Sequence, residues 1–151
     1  MKNIMVEIGK NRRRSLVVIE NVKDAEPLAK ALCEGGLPCA EVTFRTAAAE
    51  ESIKKITEAY PEMLVGAGTV LTTAQVDKAA AGAKFIVSPG FDPEIVDYCL
   101  EKEIPVFPGV ITPSEVAQAV KRGLKVVKLF SRRLSSAEFP LLKRLHLLML
   151  G

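Results

Sequence analysis

The sequence predicts an α/β protein built on a parallel sheet. Three observations carry that prediction. Short runs of β-branched and apolar residues recur along the chain, each followed by a turn and then by helical periodicity. The unit returns roughly every 20 to 25 residues, so that six strands alternate with five helices, the pattern of βαβ crossovers. Polar residues and glycines collect just past the strands, at Arg45-Thr46, Gly68-Thr69, Ser88-Pro89-Gly90 and Gly109-Val110, where a parallel α/β fold keeps its binding groups.

The elements follow in order. Leu-Val-Val-Ile at 16–19 is the first strand, and a helix over 21–35 carries Asp24 early and stops at Gly35-Gly36. The second strand is 40–44, followed by a helix over 47–60 that Pro61 ends. The third is 64–67, and the Gly68-Thr69 turn leads to a helix over 73–81. The fourth is 84–87, with Pro93 opening the next helix at a position that proline tolerates. The fifth is 105–107, and Thr112-Pro113 starts a helix with Glu115 in its first turn and Gly123 past its end. The sixth strand is 125–130. Right-handed crossovers leave a doubly wound sheet or a TIM (β/α)8-type barrel. No Gly-x-Gly-x-x-Gly follows the first strand, which weakens the dinucleotide-binding version. A full barrel needs eight units, so an incomplete one of about six is expected.

Composition narrows the function. The 151 residues suffice for one domain with a real core. A net charge of +3, with both signs mixed along the chain, argues against a nucleic-acid footprint. No run of about 18 apolar residues exists to span a membrane, and residues 1–10 lack the apolar core of a signal peptide. Cys33, Cys39 and Cys99 are odd in number and form no Cys-x-x-Cys pair, as expected of reduced thiols in a cytoplasmic protein. No His/Cys cluster suggests a metal, and no cofactor is expected.

The residues that carry chemistry lie inside strands. Lys128 sits in Val126-Val127-Lys128-Leu129-Phe130. An ammonium among apolar neighbours must find a counter-charge, reach water or lose its proton, and a neutral lysine can attack a carbonyl to form a Schiff base. Alternation points Val126, Lys128 and Phe130 one way and Val127 and Leu129 the other. The plain alternative is a lysine snorkelling from an edge strand. Glu41 is likewise in a strand, on the face it shares with Thr43 and Arg45, and a barrel interior could bring it near Lys128. That pair is either a structural salt bridge or a base beside a Schiff-base lysine. Arg45 offers a fork for a carboxylate or phosphate. Gly66-Ala67-Gly68-Thr69 allows close backbone approach, and Thr69 adds a hydroxyl, although an ordinary tight turn explains the same residues.

Taken together, Glu41-Val42-Thr43-Phe44-Arg45-Thr46, Gly66-Ala67-Gly68-Thr69-Val70, Ser88-Pro89-Gly90, Pro108-Gly109-Val110 and Val127-Lys128-Leu129-Phe130 resemble the 2-keto-3-deoxy-6-phosphogluconate (KDPG) and 4-hydroxy-2-oxoglutarate (KHG) aldolase family, over residues 16–130. The resemblance implies a metal-free class I aldolase on a TIM barrel, a cytoplasmic homotrimer that releases pyruvate and glyceraldehyde 3-phosphate in the Entner–Doudoroff pathway. It implies Lys128 as the Schiff-base lysine and Glu41 as the general acid/base, with Arg45 and Thr69 holding the substrate carboxylate. Departures are local. Arg13-Arg14-Ser15-Leu16 stands where the family has a Val-Pro-Val-like run, and the helix at 75–82 is one residue short. Past Phe130 the Ser, Arg and Leu-rich sequence leaves the family pattern. The expectation is a truncated member: residues 1–130 a partial aldolase barrel, and residues 131–151 a non-family tail, frameshifted or disordered. A basic amphipathic helix over 141–150 is the other reading of that tail. A catalytically dead fragment of the family is the rival to an active enzyme, as is a KHG aldolase proper.

Overall fold

The computed structural model describes residues 15–129 and 148–149. Six parallel strands run through it: β1 (Ser15–Val17), β2 (Cys39–Thr43), β3 (Leu64–Gly68), β4 (Phe85–Ser88), β5 (Val106–Val110) and β6 (Val126–Leu129). Five helices connect them: α1 (Ala25–Glu34), α2 (Ala49–Ala59), α3 (Thr73–Ala80), α4 (Pro93–Glu101) and α5 (Pro113–Lys121). Each strand pairs with its immediate successor, so the order never reverses. A doubly wound sheet requires a reversal. The sheet is therefore of the barrel type, with helices on one face.

Its two faces carry two cores. Ala40 and Val42, Val65 and Ala67, Ile86 and Val106 face the helices and pack with Ile53, Ile56, Val76 and Val96. The opposite residues of the same strands, Cys39, Leu64, Phe85, Val87, Phe107 and Val126, form a separate inner cluster. Phe85 and Phe107 meet edge to face there, with ring centroids 5.7 Å apart. Both faces are buried, which is why these strands read as continuous apolar runs. Among the described residues no strand pairs with the outer side of β1, and Leu16, in register with Glu41, is 55% exposed.

Local chemistry sets the boundaries, which differ in places from the sequence expectation. The first helix is delayed: Asn21 caps a 3-10 turn, Val22–Asp24, before α1 begins. α1 ends at Glu34 with Gly35 as its C-cap, and Gly36 follows with φ 73. α2 starts at Ala49 rather than 47 because Thr46 is held elsewhere, its hydroxyl donating to the Ile19 carbonyl at 2.6 Å. β5 continues past its expected end at 107, because Pro108 and Gly109 pair with neighbours, Pro108 with Ser88 and Gly109 with Lys128. Thr72 caps α3 and Asp92 caps α4. α5 opens with a reciprocal capping box of Thr112 and Glu115. A seventh strand, β7 (Leu148–Met149), pairs antiparallel with β6. The helix considered for 141–150 is corrected at these two residues: the open side of β6 offers unpaired backbone groups, and Leu148 and Met149 satisfy them. The remainder of the tail, together with Phe130 and Arg12–Arg14, lies outside the described residues.

Candidate active site

The two charges that stood inside strands meet. Alternation turns Glu41 and Thr43 of β2 and Lys128 of β6 toward the inner face. There Nζ of Lys128 lies 3.2 Å from Oε1 of Glu41, across 87 residues of sequence. The Glu41 side chain is 4% exposed and that of Lys128 15%, so the ammonium has both its counter-charge and a narrow opening to solvent. Val126 belongs to the inner cluster and Val127 to an outer one with Val110 and Ala119, the alternation expected of this strand.

Arg45 and Thr69 follow the C-terminal ends of β2 and β3. The residues around Arg45 are tied down. The Phe44 N–H donates to the Gly68 carbonyl at 2.8 Å, and the Thr46 hydroxyl bonds back to Ile19. Thr43 adds a further tie, its hydroxyl donating to the Val17 carbonyl at 3.2 Å. Arg45 itself is exposed and makes no ion pair among the described residues, which leaves its guanidinium available to an anion. Thr69 is half-buried with φ 56, a left-handed backbone that a β-branched residue rarely adopts. Ser88-Pro89-Gly90 closes on itself, the Ser88 hydroxyl donating to the Gly90 carbonyl at 2.8 Å.

Sequence reasoning missed one feature. Both glycines of β3 face inward and make space. A side chain at Gly66 would strike the Phe85 ring, with Cδ2 2.6 Å from the added carbon. One at Gly68 would strike Glu41, with Cγ at 2.8 Å and Cδ at 3.0 Å. The signal was the two-residue spacing of Gly66 and Gly68 on the same face as Glu41.

Elsewhere, a hollow on the helix side is lined by Thr73, Glu94, Asp97, Tyr98 and Glu101. Its carboxylates would repel a keto acid. No group of three metal-ligating side chains occurs among the described residues, and no helix there is long and apolar enough to cross a membrane.

The family model described as KDPG and KHG aldolase matches residues 7–146. The chain belongs to that family. Among curated KDPG/KHG aldolases, it is 48% identical to the 2-dehydro-3-deoxy-phosphogluconate aldolase of Treponema pallidum over 120 residues, 79% of this chain and 57% of that protein. It is 40% identical to the KHG/KDPG aldolase of Escherichia coli K12, covering 76% of this chain and 54% of that one. A solved KDPG aldolase of Legionella pneumophila, with pyruvate captured as a covalent carbinolamine, superposes with a TM-score of 0.77 at 37% identity, covering 86% of this chain and 63% of that one. The chain thus spans a little over half the length of the curated KDPG/KHG aldolases it matches. The match to the family model also continues past Phe130, to residue 146.

Proposed function

We propose that the chain is a class I aldolase acting on 2-keto-3-deoxy-6-phosphogluconate through a Schiff base on Lys128. The observation that carries the proposal is the inward-facing Lys128–Glu41 pair at 3.2 Å, an amine beside a carboxylate in a largely water-excluded place. Transfer of the ammonium proton to Glu41 or to water frees the nitrogen lone pair. Lys128 then attacks the C2 ketone, and Glu41, through water, moves protons as the carbinolamine loses hydroxide and becomes an iminium. Glu41, through water, takes the proton of the C4 hydroxyl; the C3–C4 bond breaks, its electron pair passes to the iminium, and C4 leaves as the aldehyde of glyceraldehyde 3-phosphate. The resulting enamine is protonated, and water releases pyruvate. Arg45 and Thr69, at adjacent strand ends, hold the keto-acid carboxylate. 4-Hydroxy-2-oxoglutarate, which presents the same pyruvate half, is the second substrate, in keeping with the E. coli relative's name. We place the enzyme in the cytoplasm as a homotrimer; reduced cysteines, two of them buried, support the first assignment.

The test is borohydride reduction in the presence of pyruvate, followed by peptide mapping. Lys128 is expected to carry the adduct. Lys128→Arg should lose it, because a guanidinium stays protonated and cannot attack a carbonyl. Trapping that persists in Lys128→Arg would move the nucleophile elsewhere, and no adduct in the unmodified chain would leave the inactive-fragment reading standing.

A further inference from the structure

We propose that Gly68 is the positioning residue of the site: its missing side chain is the seat in which the Glu41 carboxylate lies against Lys128. The proposal rests on the Schiff-base reading for its catalytic consequence, but the seat itself stands on geometry. Gly68 is not in the left-handed region, so its backbone accepts any residue. What forbids a side chain there is Glu41, whose Cγ would lie 2.8 Å from an added Cβ and whose Oε1 would lie closer still. Oε1 is also the atom that holds the Lys128 ammonium. A flexible end group normally swings aside from such a clash, but Glu41 is only 3% exposed, and a swing that clears an added Cβ also carries Oε1 away from Lys128. Gly66, two residues earlier on the same face, serves a different neighbour, the Phe85 ring. The inner face of β3 therefore makes two separate spaces, one for packing and one for a proton-transfer group.

The experiment is a set of urea-unfolding curves for Gly68→Ala in three backgrounds of the full chain: unmodified, Glu41→Gln and Glu41→Ala. In the unmodified and Gln backgrounds, where the side chain has the same size, Gly68→Ala is expected to lower the midpoint by about 1 M, the shift an overpacked core side chain produces. In the Ala background, where the struck atoms are gone, the midpoint should not fall. Equal losses in all three backgrounds, or no loss in the first, would overturn the proposal. Should Gly68→Ala fail to fold alone, folding restored by Glu41→Ala supports the seat, and failure of both overturns it. If Glu41→Ala is itself unfolded, pyruvate trapping decides: a Gly68→Ala chain that traps pyruvate as fast as the unmodified chain overturns the seat.

A second arm follows pyruvate trapping. Gly68→Ala should slow it about 100-fold, the worth of a displaced general acid/base, without raising the pyruvate concentration for half-saturation, and should add nothing in the Gln background. An unmodified chain that traps no pyruvate overturns the aldolase reading alone, and the urea curves still decide the seat.

Discussion

At the scale of single residues, the site is a set of local costs held in place by neighbours. Thr69 shows this well. A β-branched residue at φ 56 stores strain of order 1–3 kcal/mol, and it does so beside Gly68, which has the ordinary backbone. The Gly-Thr pair suggests the opposite division of labour in sequence, with glycine as the unusual conformer. Replacing Thr69 with glycine is therefore expected to stabilise the fold by about 1 kcal/mol, strain relief less the entropy of an added glycine. The same change removes the hydroxyl and should raise the pyruvate concentration needed for half-maximal borohydride trapping. Urea unfolding and trapping on one preparation check both halves, and a stability loss would mean that the left-handed backbone is not strained. Glu41 and Lys128 were legible because a charge inside an apolar strand is anomalous and demands a partner. Gly68 was not, since the space it supplies is defined by a side chain on the neighbouring strand.

At the scale of elements, boundaries depend on groups that lie within a few residues, and these were partly legible. Proline at the start of α4 and α5, and the glycines after α1 and α5, fell where they were expected. The end of β5 did not, running past 107 because Pro108 and Gly109 pair with Ser88 and Lys128 on either side. The α5 start yields a prediction with a definite sign. The N–H groups of Ile111 and Thr112, then the Thr112 hydroxyl, hold the Glu115 carboxyl below its usual 4.5. A depressed folded value means that the stabilisation is fully present above about pH 4.5 and is lost as pH falls through that lower value. Glu115→Ala should thus cost about 1 kcal/mol at pH 7, typical of a lost cap, with the gap to the unmodified chain closing in acid. Unfolding curves at pH 7 and near pH 3 measure it; a gap that stays constant would assign the cost to helix packing instead.

At the scale of the whole molecule, the three cysteines sample three environments. Cys39 lies in the inner cluster, Cys99 in the helix-side core, and Cys33 is only partly buried on α1. Burial pushes the Cys99 thiol up to about 11, so little thiolate forms at neutral pH. Iodoacetamide at pH 8 is expected to label Cys33 first, and Cys39 and Cys99 together only as urea opens both cores. Early labelling of Cys39 alone would show that the inner face opens without the outer. The βα repeat and the presence of two buried faces were legible from apolar runs alone. The choice of barrel over doubly wound sheet was legible only from the missing Gly-x-Gly-x-x-Gly and the family resemblance, not from periodicity, since strand order is a property of distant pairings.

That sequential order has a consequence for how the site comes into being. Every pairing from β1 to β6 joins a strand to the one made next, so the sheet can grow as the chain emerges. The Glu41–Lys128 contact is the exception, closing a loop of 87 residues between strands that are not neighbours. At ribosomal rates of about 5–20 residues per second, that separation means Glu41 is synthesised roughly 4–17 s before its partner exists. In that interval β2 can already lie between β1 and β3, with a carboxylate on its inner face and no ammonium to meet it. The strand that carries Glu41 and its neighbours can thus be laid down, one beside the next, before Lys128 exists to meet it.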